Sequence, residues 1–262
     1  MRLVTWNVNS IRLRLDGLRR INEEWRPDLV CLQETKVADP LFPREALAEM
    51  GFAHLAVLGQ KGYNGVAIAS RLPLDDVHSR SWCGRDDCRH LIATVGGIDV
   101  HCLYVPAGGD LPDPEVNDKF AHKLAFLEEV TAWFATVDPA RPMVLMGDLN
   151  VAPLETDVWS HKQMLKVVSH TPVETGRLAA LQASAGWIDA VRQFIPPEER
   201  LYTWWSYRAA DWQASNRGRR LDHVWVSRPL APRLASAQVV RQTRGWQPPS
   251  DHVPVIVDIR PI

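Results

Sequence analysis

The sequence predicts a single α/β domain built on a mixed sheet, and three observations carry that expectation. Arg2 to Val8 alternates Leu3, Thr5 and Asn7 against Val4, Trp6 and Val8, as a strand does. Ile11 to Trp25 repeats Ile11, Leu15, Leu18, Ile21 and Trp25 at helical spacing, and Leu29 to Leu32 is a second short apolar run. Such a strand–helix–strand crossover sets its two strands parallel, with their C-terminal ends on one edge of the sheet. Further on, strand patterns follow one another directly, so the sheet cannot be purely parallel. The chain of 262 residues shows no linker, repeat or low-complexity tract and is read as one domain, 1–262.

Taken in order, Ser10 is a reasonable cap for the first helix, and Pro27-Asp28 ends it. Pro43 to Met50 is a short helix closed by Gly51. Phe52–Leu58, Val66–Ser70, Leu74–Arg80, His90–Val95 and Ile98–Val105 read as strands. Gly96-Gly97 is a hairpin signal between the last two. Asn117 caps a long helix to about Thr136 with the stripe Phe120, Leu124, Leu127, Val130 and Phe134. Met143 to Met146 is a buried strand. Glu174 to Ala185 is helical, and Trp187 to Phe194 is a short helix or turn. Leu201 to Tyr207 is an aromatic-rich strand, followed by strands Leu221–Val226, Ala235–Arg241 and Val255–Arg260.

Composition excludes several classes. A hydrophobic content of 46% supports a substantial core. A net charge of −1 argues against coating nucleic acid by bulk charge, while leaving room for a local basic rim. No apolar run approaches the roughly 18 residues of a membrane span, and a strand pattern begins by Arg2 without a signal-peptide layout. The expectation is a cytoplasmic protein whose four cysteines are reduced thiols. Cys83 and Cys88 lie near His78, His90 and Asp87, but their spacing matches no common zinc pattern.

The chemistry gathers at strand ends. Asp148 and Asn150 follow the abrupt stop at Gly147, two apart, pointing the same way if the chain stays extended. Asn7 and Asn9 end the first strand, Glu34 follows the second, Tyr104 closes another, Asp222 opens one, and Asp251-His252 precedes the last. Each alone has an ordinary reading as cap, turn, packed phenol or solvated charge. Their repetition at the ligand-holding edge of an α/β sheet is what points to a site. Oxygen ligands, no thiolates and one nearby histidine suit a hard cation, Mg²⁺ or Mn²⁺, and such sites hydrolyse phosphate esters.

Five motifs then carry a resemblance: Trp-Asn-Val-Asn-Ser-Ile-Arg at 6–12, Leu-Gln-Glu-Thr-Lys at 32–36, Gly-Asp-Leu-Asn at 147–150, Arg-Leu-Asp at 220–222 and Ser-Asp-His at 250–252. In this order, along the whole chain, they resemble the exonuclease III family of DNA-repair nucleases, within the wider endonuclease/exonuclease/phosphatase superfamily. Tyr-Thr-Trp-Trp-Ser-Tyr-Arg at 202–208 narrows the resemblance to the nuclease branch. It implies a four-layered α/β sandwich, two mixed β-sheets face to face with helices outside. It also implies Mg²⁺, with Mn²⁺ as substitute, on Glu34 with Asn7 and Asp251 close by; Asp148, Asn150 and His252 would form any second position. Asp148 would activate water or protonate the leaving oxygen, and Asn150 would hold that water and the phosphate. His252, held by Asp222, and Tyr104 would contact the phosphate.

For DNA the resemblance implies a rim of Asn9, Arg12, Lys36, Arg89, Lys119, Arg208 and Arg217 to Arg220. It also implies a small apolar pocket at Trp204 and Leu221 for a flipped-out sugar without its base. Two departures stand out. Arg219 replaces an apolar or aromatic wall of that pocket, and the loop Ala107–Asn117 carries Asp110, Asp113 and Glu115 with no Lys or Arg. The expected activities are cleavage 5′ to abasic sites, 3′→5′ degradation of duplex DNA and 3′-phosphatase action. The expected partner is duplex DNA with abasic sites or recessed or nicked 3′ ends, bound by a monomer away from any membrane. The alternatives are a superfamily phosphatase or phosphodiesterase acting on lipid or small-molecule phosphoesters, and a DNA-binding protein that has lost catalysis. The basic loop beside Trp204 favours DNA.

Overall fold

The computed structural model describes residues 1–260. Fourteen strands run in chain order: β1 (Arg2–Asn7), β2 (Leu29–Gln33), β3 (His54–Leu58), β4 (Val66–Ser70), β5 (Asp75–Ser79), β6 (His90–Val95), β7 (Ile98–Tyr104), β8 (Met143–Asp148), β9 (Ile188–Asp189), β10 (Trp204–Trp205), β11 (Gly218–Arg219), β12 (Asp222–Val226), β13 (Leu234–Val239) and β14 (Val255–Ile259). One six-stranded sheet has the order β13-β14-β1-β2-β4-β3 and a second the order β5-β6-β7-β8-β12-β9, while β10 and β11 form a small ribbon. The parallel pairs are β1 with β2 and β7 with β8. The expected crossover therefore forms, and the sheets are mixed.

Alternation along the strands builds four layers. Leu3, Cys31 and Ile68 of the first sheet meet Val100, Met146 and Val224 of the second in one core between the sheets. Their chain neighbours point outward. Val4, Val30 and Leu32 pack under helices α1 (Leu15–Trp25) and α2 (Arg44–Glu49) through Leu18, Ile21 and Leu47. Leu103, Leu145 and Trp225 pack under α3 (Asp118–Phe134) and the later helix Pro172–Ser184 through Phe126, Leu127, Val130, Leu178 and Leu181. Sheets covered on both faces read as continuous apolar runs, which is why Met143–Met146 looked like a buried strand. That later helix is α5 (Pro172–Ser184), and two short helices, α4 (His161–Met164) and α6 (Trp212–Ser215), flank it in the chain.

Asn117 caps α3 as expected, accepting from the Lys119 amide. Ser10 does not cap α1: it has φ 88° and makes no side-chain cap bond. The backbone there continues beside the 34–35 loop, with Ser10 N donating to Glu34 O (2.8 Å) and Ile11 N to Thr35 O (3.2 Å), so the α-helix waits until Leu15. Trp187–Phe194 contributes an edge strand, with Ile188 and Asp189 paired to Val226 and Trp225. Only Trp204–Trp205 of the Leu201–Tyr207 segment is strand. The segment bonds to several loops in turn, Leu201 N to Thr156 O, Thr203 N to Arg219 O and Trp205 N to Asp251 O. Among the described residues no helix is long and apolar enough to cross a membrane.

Candidate active site

The C-terminal ends of β1, β2, β7 and β8 converge with the start of β12. Register fixes the neighbours: Asp148 pairs with Tyr104 on one side and Asp222 on the other. Gly147 permits this closeness. A Cβ there would lie 1.9 Å from the Leu103 carbonyl oxygen, so only glycine lets β8 approach β7. Beyond the strands, Asn9, Glu34, Lys36 and Asn150 all hold positive φ, between 43° and 54°. Left-handed backbone on non-glycine residues costs about 1–3 kcal/mol each and collects at functional sites.

Asn7 joins the two sheets, its Nδ2 donating to Glu34 Oε1 and Asp148 Oδ2, 2.9 Å each. Tyr104 OH donates to Glu34 Oε1 (3.0 Å), and Lys36 Nζ lies 2.8 Å from Glu34 Oε2. Asn150 Nδ2 donates to Asp148 Oδ2 (3.1 Å) and Val105 O (2.9 Å). His252 Nδ1 bonds Asp222 Oδ2 at 2.9 Å, which points Nε2 toward Asp148 Oδ2 at 3.6 Å. Asp251 accepts from Asn9 Nδ2 (3.1 Å) and Trp204 Nε1 (2.9 Å).

Burial, together with the nearby Asp222 and Glu34 charges, pushes the Asp148 carboxyl up to about 7 against the opposing pull of His252 and Asn7. Burial disfavours the His252 cation, but Asp222 and Asp148 outweigh it and raise the imidazole to about 10. Burial likewise opposes charge on Glu34, where the Asn7 and Lys36 contacts prevail and lower its pKa. Tyr104 is held well above its ordinary value by burial and by Glu34 and Asp148, so it remains a donor. The centre thus combines an imidazolium with carboxylates crowded enough to favour a cation.

Among the described residues the group offering metal-ligand atoms within 4.8 Å of one another is Glu34, Asp148 and His252. Carboxylate oxygens that repel one another fit a hard divalent cation. The structure brings Asp148 and His252 to Glu34. The Asp251 oxygens are engaged by Asn9 and Trp204, and the Asn7 amide oxygen accepts from Asn9 N at 3.0 Å. The Cys83 and Cys88 thiols are pushed up to about 11, by burial first and then by Glu129 and Asp86 respectively, and form no such group.

A cavity of about 540 Å³ opens from these groups and is walled by Trp159, Val168, Trp204, Arg217, Arg219 and Leu221. It is not the apolar slot expected, because guanidinium groups form part of its wall. Arg208 and Asp110 also line it. The other rim candidates divide. Arg12 and Lys119 are exposed. Arg89 is held by Asp87 (2.5 Å) and stacks on Tyr104 (4.6 Å), bracing that ring. Arg220 does not belong to the rim: it is fully buried, bonded to Asp189 (2.5 Å) and near Asp157 (3.7 Å).

Sequence reasoning missed Thr203, whose Oγ1 donates to Asp222 Oδ2 at 2.6 Å and fixes the partner of His252. It also missed Lys123, fully buried, which donates to the Asn150 carbonyl at 2.7 Å and pairs with Glu174 at 2.5 Å. A lysine inside the apolar stripe of α3 was the available signal.

The model of the endonuclease/exonuclease/phosphatase family matches residues 4–252. The chain is 28% identical to exodeoxyribonuclease III of Haemophilus influenzae over 273 residues, 99% of this chain and 100% of that protein. Among solved structures, an AP endonuclease from Archaeoglobus fulgidus is 34% identical, covers 99% of each chain and superposes with a TM-score of 0.91. A 3′ phosphatase from Neisseria, bound to product DNA hairpin, matches equally well, at 34% identity and TM-score 0.91 over 99% of each chain.

Proposed function

The chain belongs to the endonuclease/exonuclease/phosphatase family, and on that premise we propose a Mg²⁺-dependent DNA-repair nuclease. It hydrolyses phosphodiesters 5′ to abasic sites and degrades duplex DNA 3′→5′, with 3′-phosphatase action at the same centre. It acts as a monomer in the cytoplasm. The observation that carries the reading is the Asn7 amide bridging Glu34 and Asp148 beside the His252–Asp222 pair, at the mouth of a pocket lined by arginines that make no ion pair among the described residues. Those arginines favour a polyanionic strand over a lipid or a small phosphoester.

Glu34 and Asp148 would hold the cation, with Asp251 within the same cavity. When bound, the cation neutralises phosphate charge and acidifies water. Asp148 takes the proton from the attacking water, and Asn150 fixes the orientation of that carboxylate. The His252 imidazolium donates Nε2–H to a non-bridging phosphate oxygen, and Asp222, clamped by Thr203, holds the ring. Tyr104 offers a second donor. Losing one donor of this kind lowers kcat by about two to three decades.

The test is cleavage of a duplex carrying one abasic-site analogue beside an undamaged recessed-end duplex, with Mg²⁺ or chelator, for wild type and Glu34→Ala. Metal-dependent incision at the analogue, lost by several decades in the variant, is expected. No cleavage of either duplex would sink the DNA reading and leave small phosphodiesters.

A further inference from the structure

Arg219 is a half-buried cation that makes no ion pair among the described residues. Its guanidinium lies 4.9 Å from the centroid of the Trp204 ring, and its Nη1 donates to Val168 O and Ser169 Oγ, 3.0 Å each. Its Nε is buried without a partner. Among the described residues no carboxylate stands within ion-pair reach. The acidic group that acts on it is Glu174, whose oxygens are taken by Lys123, Ser169 N and Thr171. The adjacent Arg220, by contrast, meets both Asp157 and Asp189. Arg217 shares the cavity wall, lies 4.7 Å from the Trp159 ring and likewise makes no ion pair among the described residues. A desolvated guanidinium that reaches none of the carboxylates lining its cavity is costly until an anion arrives, and its fork fits phosphate.

Position decides which phosphate. The Trp204 indole that carries Arg219 on its face gives its Nε1–H to Asp251, so one ring separates the guanidinium from the catalytic groups. A strand with its scissile phosphate at Glu34, Asp148 and His252 presents its next phosphate one nucleotide away. We propose that Arg219, seconded by Arg217, binds the phosphate on the 3′ side of the nucleotide held in the pocket. The pocket then selects nucleotides inside a continuous strand over terminal nucleotides with a free 3′-hydroxyl. This specificity rests on the nuclease reading above and deepens it.

The test uses two duplexes with one internal abasic-site analogue, identical except that the phosphate 3′ to the analogue is an uncharged methylphosphonate in one. Binding in chelator is read by fluorescence anisotropy and cleavage in Mg²⁺, for wild type, Arg219→Met and Arg219→Lys. Wild type should bind and cut the neutral duplex about ten- to hundredfold less well, the worth of a charge-assisted hydrogen bond. Arg219→Met should lose most of the preference, keeping only what Arg217 supplies, and Arg219→Lys should keep more of it, as a point charge without the fork. Wild type indifferent to the methylphosphonate, or Arg219→Met as sensitive as wild type, would overturn the proposal. Absence of all cleavage would refute the nuclease reading instead, and binding in chelator would still decide the role of Arg219.

Discussion

Replacing Lys123 by Met tests whether the catalytic strand end is held from behind. The ammonium is fully buried and reaches three acceptors: Glu174 Oε1 (2.5 Å), Asn150 O (2.7 Å) and Ala107 O (3.3 Å). Methionine fills much the same volume, so the packing term is small and the electrostatic one dominates. Removing one partner of a buried pair leaves the other charge uncompensated and costs about 3–5 kcal/mol. In a domain of this size that lowers Tm by roughly 6–20 °C. The decisive comparison is the double variant Lys123→Met/Glu174→Gln, measured by denaturant unfolding. If Glu174 depends on Lys123, removing its charge should recover stability, and the double variant should be more stable than Lys123→Met alone. The competing view is that Glu174 is satisfied by Ser169 N, Thr171 N and Thr171 Oγ1. A double variant less stable than the single one would establish that view and refute the ion-pair reasoning.

Other perturbations read other parts of the structure. Gly147→Ala should destabilise by about 3 kcal/mol or more, because its Cβ meets the Leu103 carbonyl at 1.9 Å, while Gly176→Ala, with nothing within 4 Å in the middle of a helix, should stabilise slightly; equal unfolding midpoints would contradict this. His223 donates Nε2–H to Val151 O (2.9 Å), and burial first, then Arg220, lowers its imidazole to about 3. Between pH 6.5 and 3 the unfolded chain binds that proton and the native one does not, so stability falls with falling pH. The advantage of wild type over His223→Gln should therefore shrink by about 2 kcal/mol from pH 7.5 to pH 5.0 in urea titrations, and a flat difference would show that His223 ionises freely. Mg²⁺ at about a hundred times its Kd should stabilise wild type by about 2.7 kcal/mol in thermal unfolding, and Glu34→Gln should lose most of that shift; an unchanged shift would place the cation elsewhere.

Much of the site was legible because its residues stand at strand ends, and strand ends are marked locally. Asn7, Glu34, Tyr104 and Asp148 each follow an apolar run whose period or length announces a strand. Asn117 announces its helix as plainly. What stayed hidden depends on partners distant in sequence. Arg219 and Arg220 are adjacent and chemically identical, yet one walls the cavity and the other is neutralised by Asp157 and Asp189, 63 and 31 residues away. Nothing in the run Arg217 to Arg220 distinguishes them. The two-residue strands at 188–189, 204–205 and 218–219 are too short to carry a period, and they exist because segments distant in sequence pair with them, β12 with the first and the other two with each other.

The contacts that define the site cross between the sheets. Asn7, on the first sheet, donates to Asp148 on the second, and Tyr104 of the second donates to Glu34 beyond the first. Trp6 of the first sheet holds the His252 backbone, its Nε1 donating to the carbonyl at 3.1 Å, while the His252 ring is held by Asp222 of the second. The catalytic distances are therefore set by how the sheets sit on one another, which the core of Leu3, Cys31, Ile68, Val100, Met146 and Val224 determines. Close-packed interiors transmit strain instead of absorbing it. A volume change in that core acts on the separation of Glu34 from Asp148, and a misplacement of about 1 Å in a catalytic centre can cost a hundredfold in rate. Active-site precision and core packing are one property in this architecture, and the glycine at 147 is where the two meet.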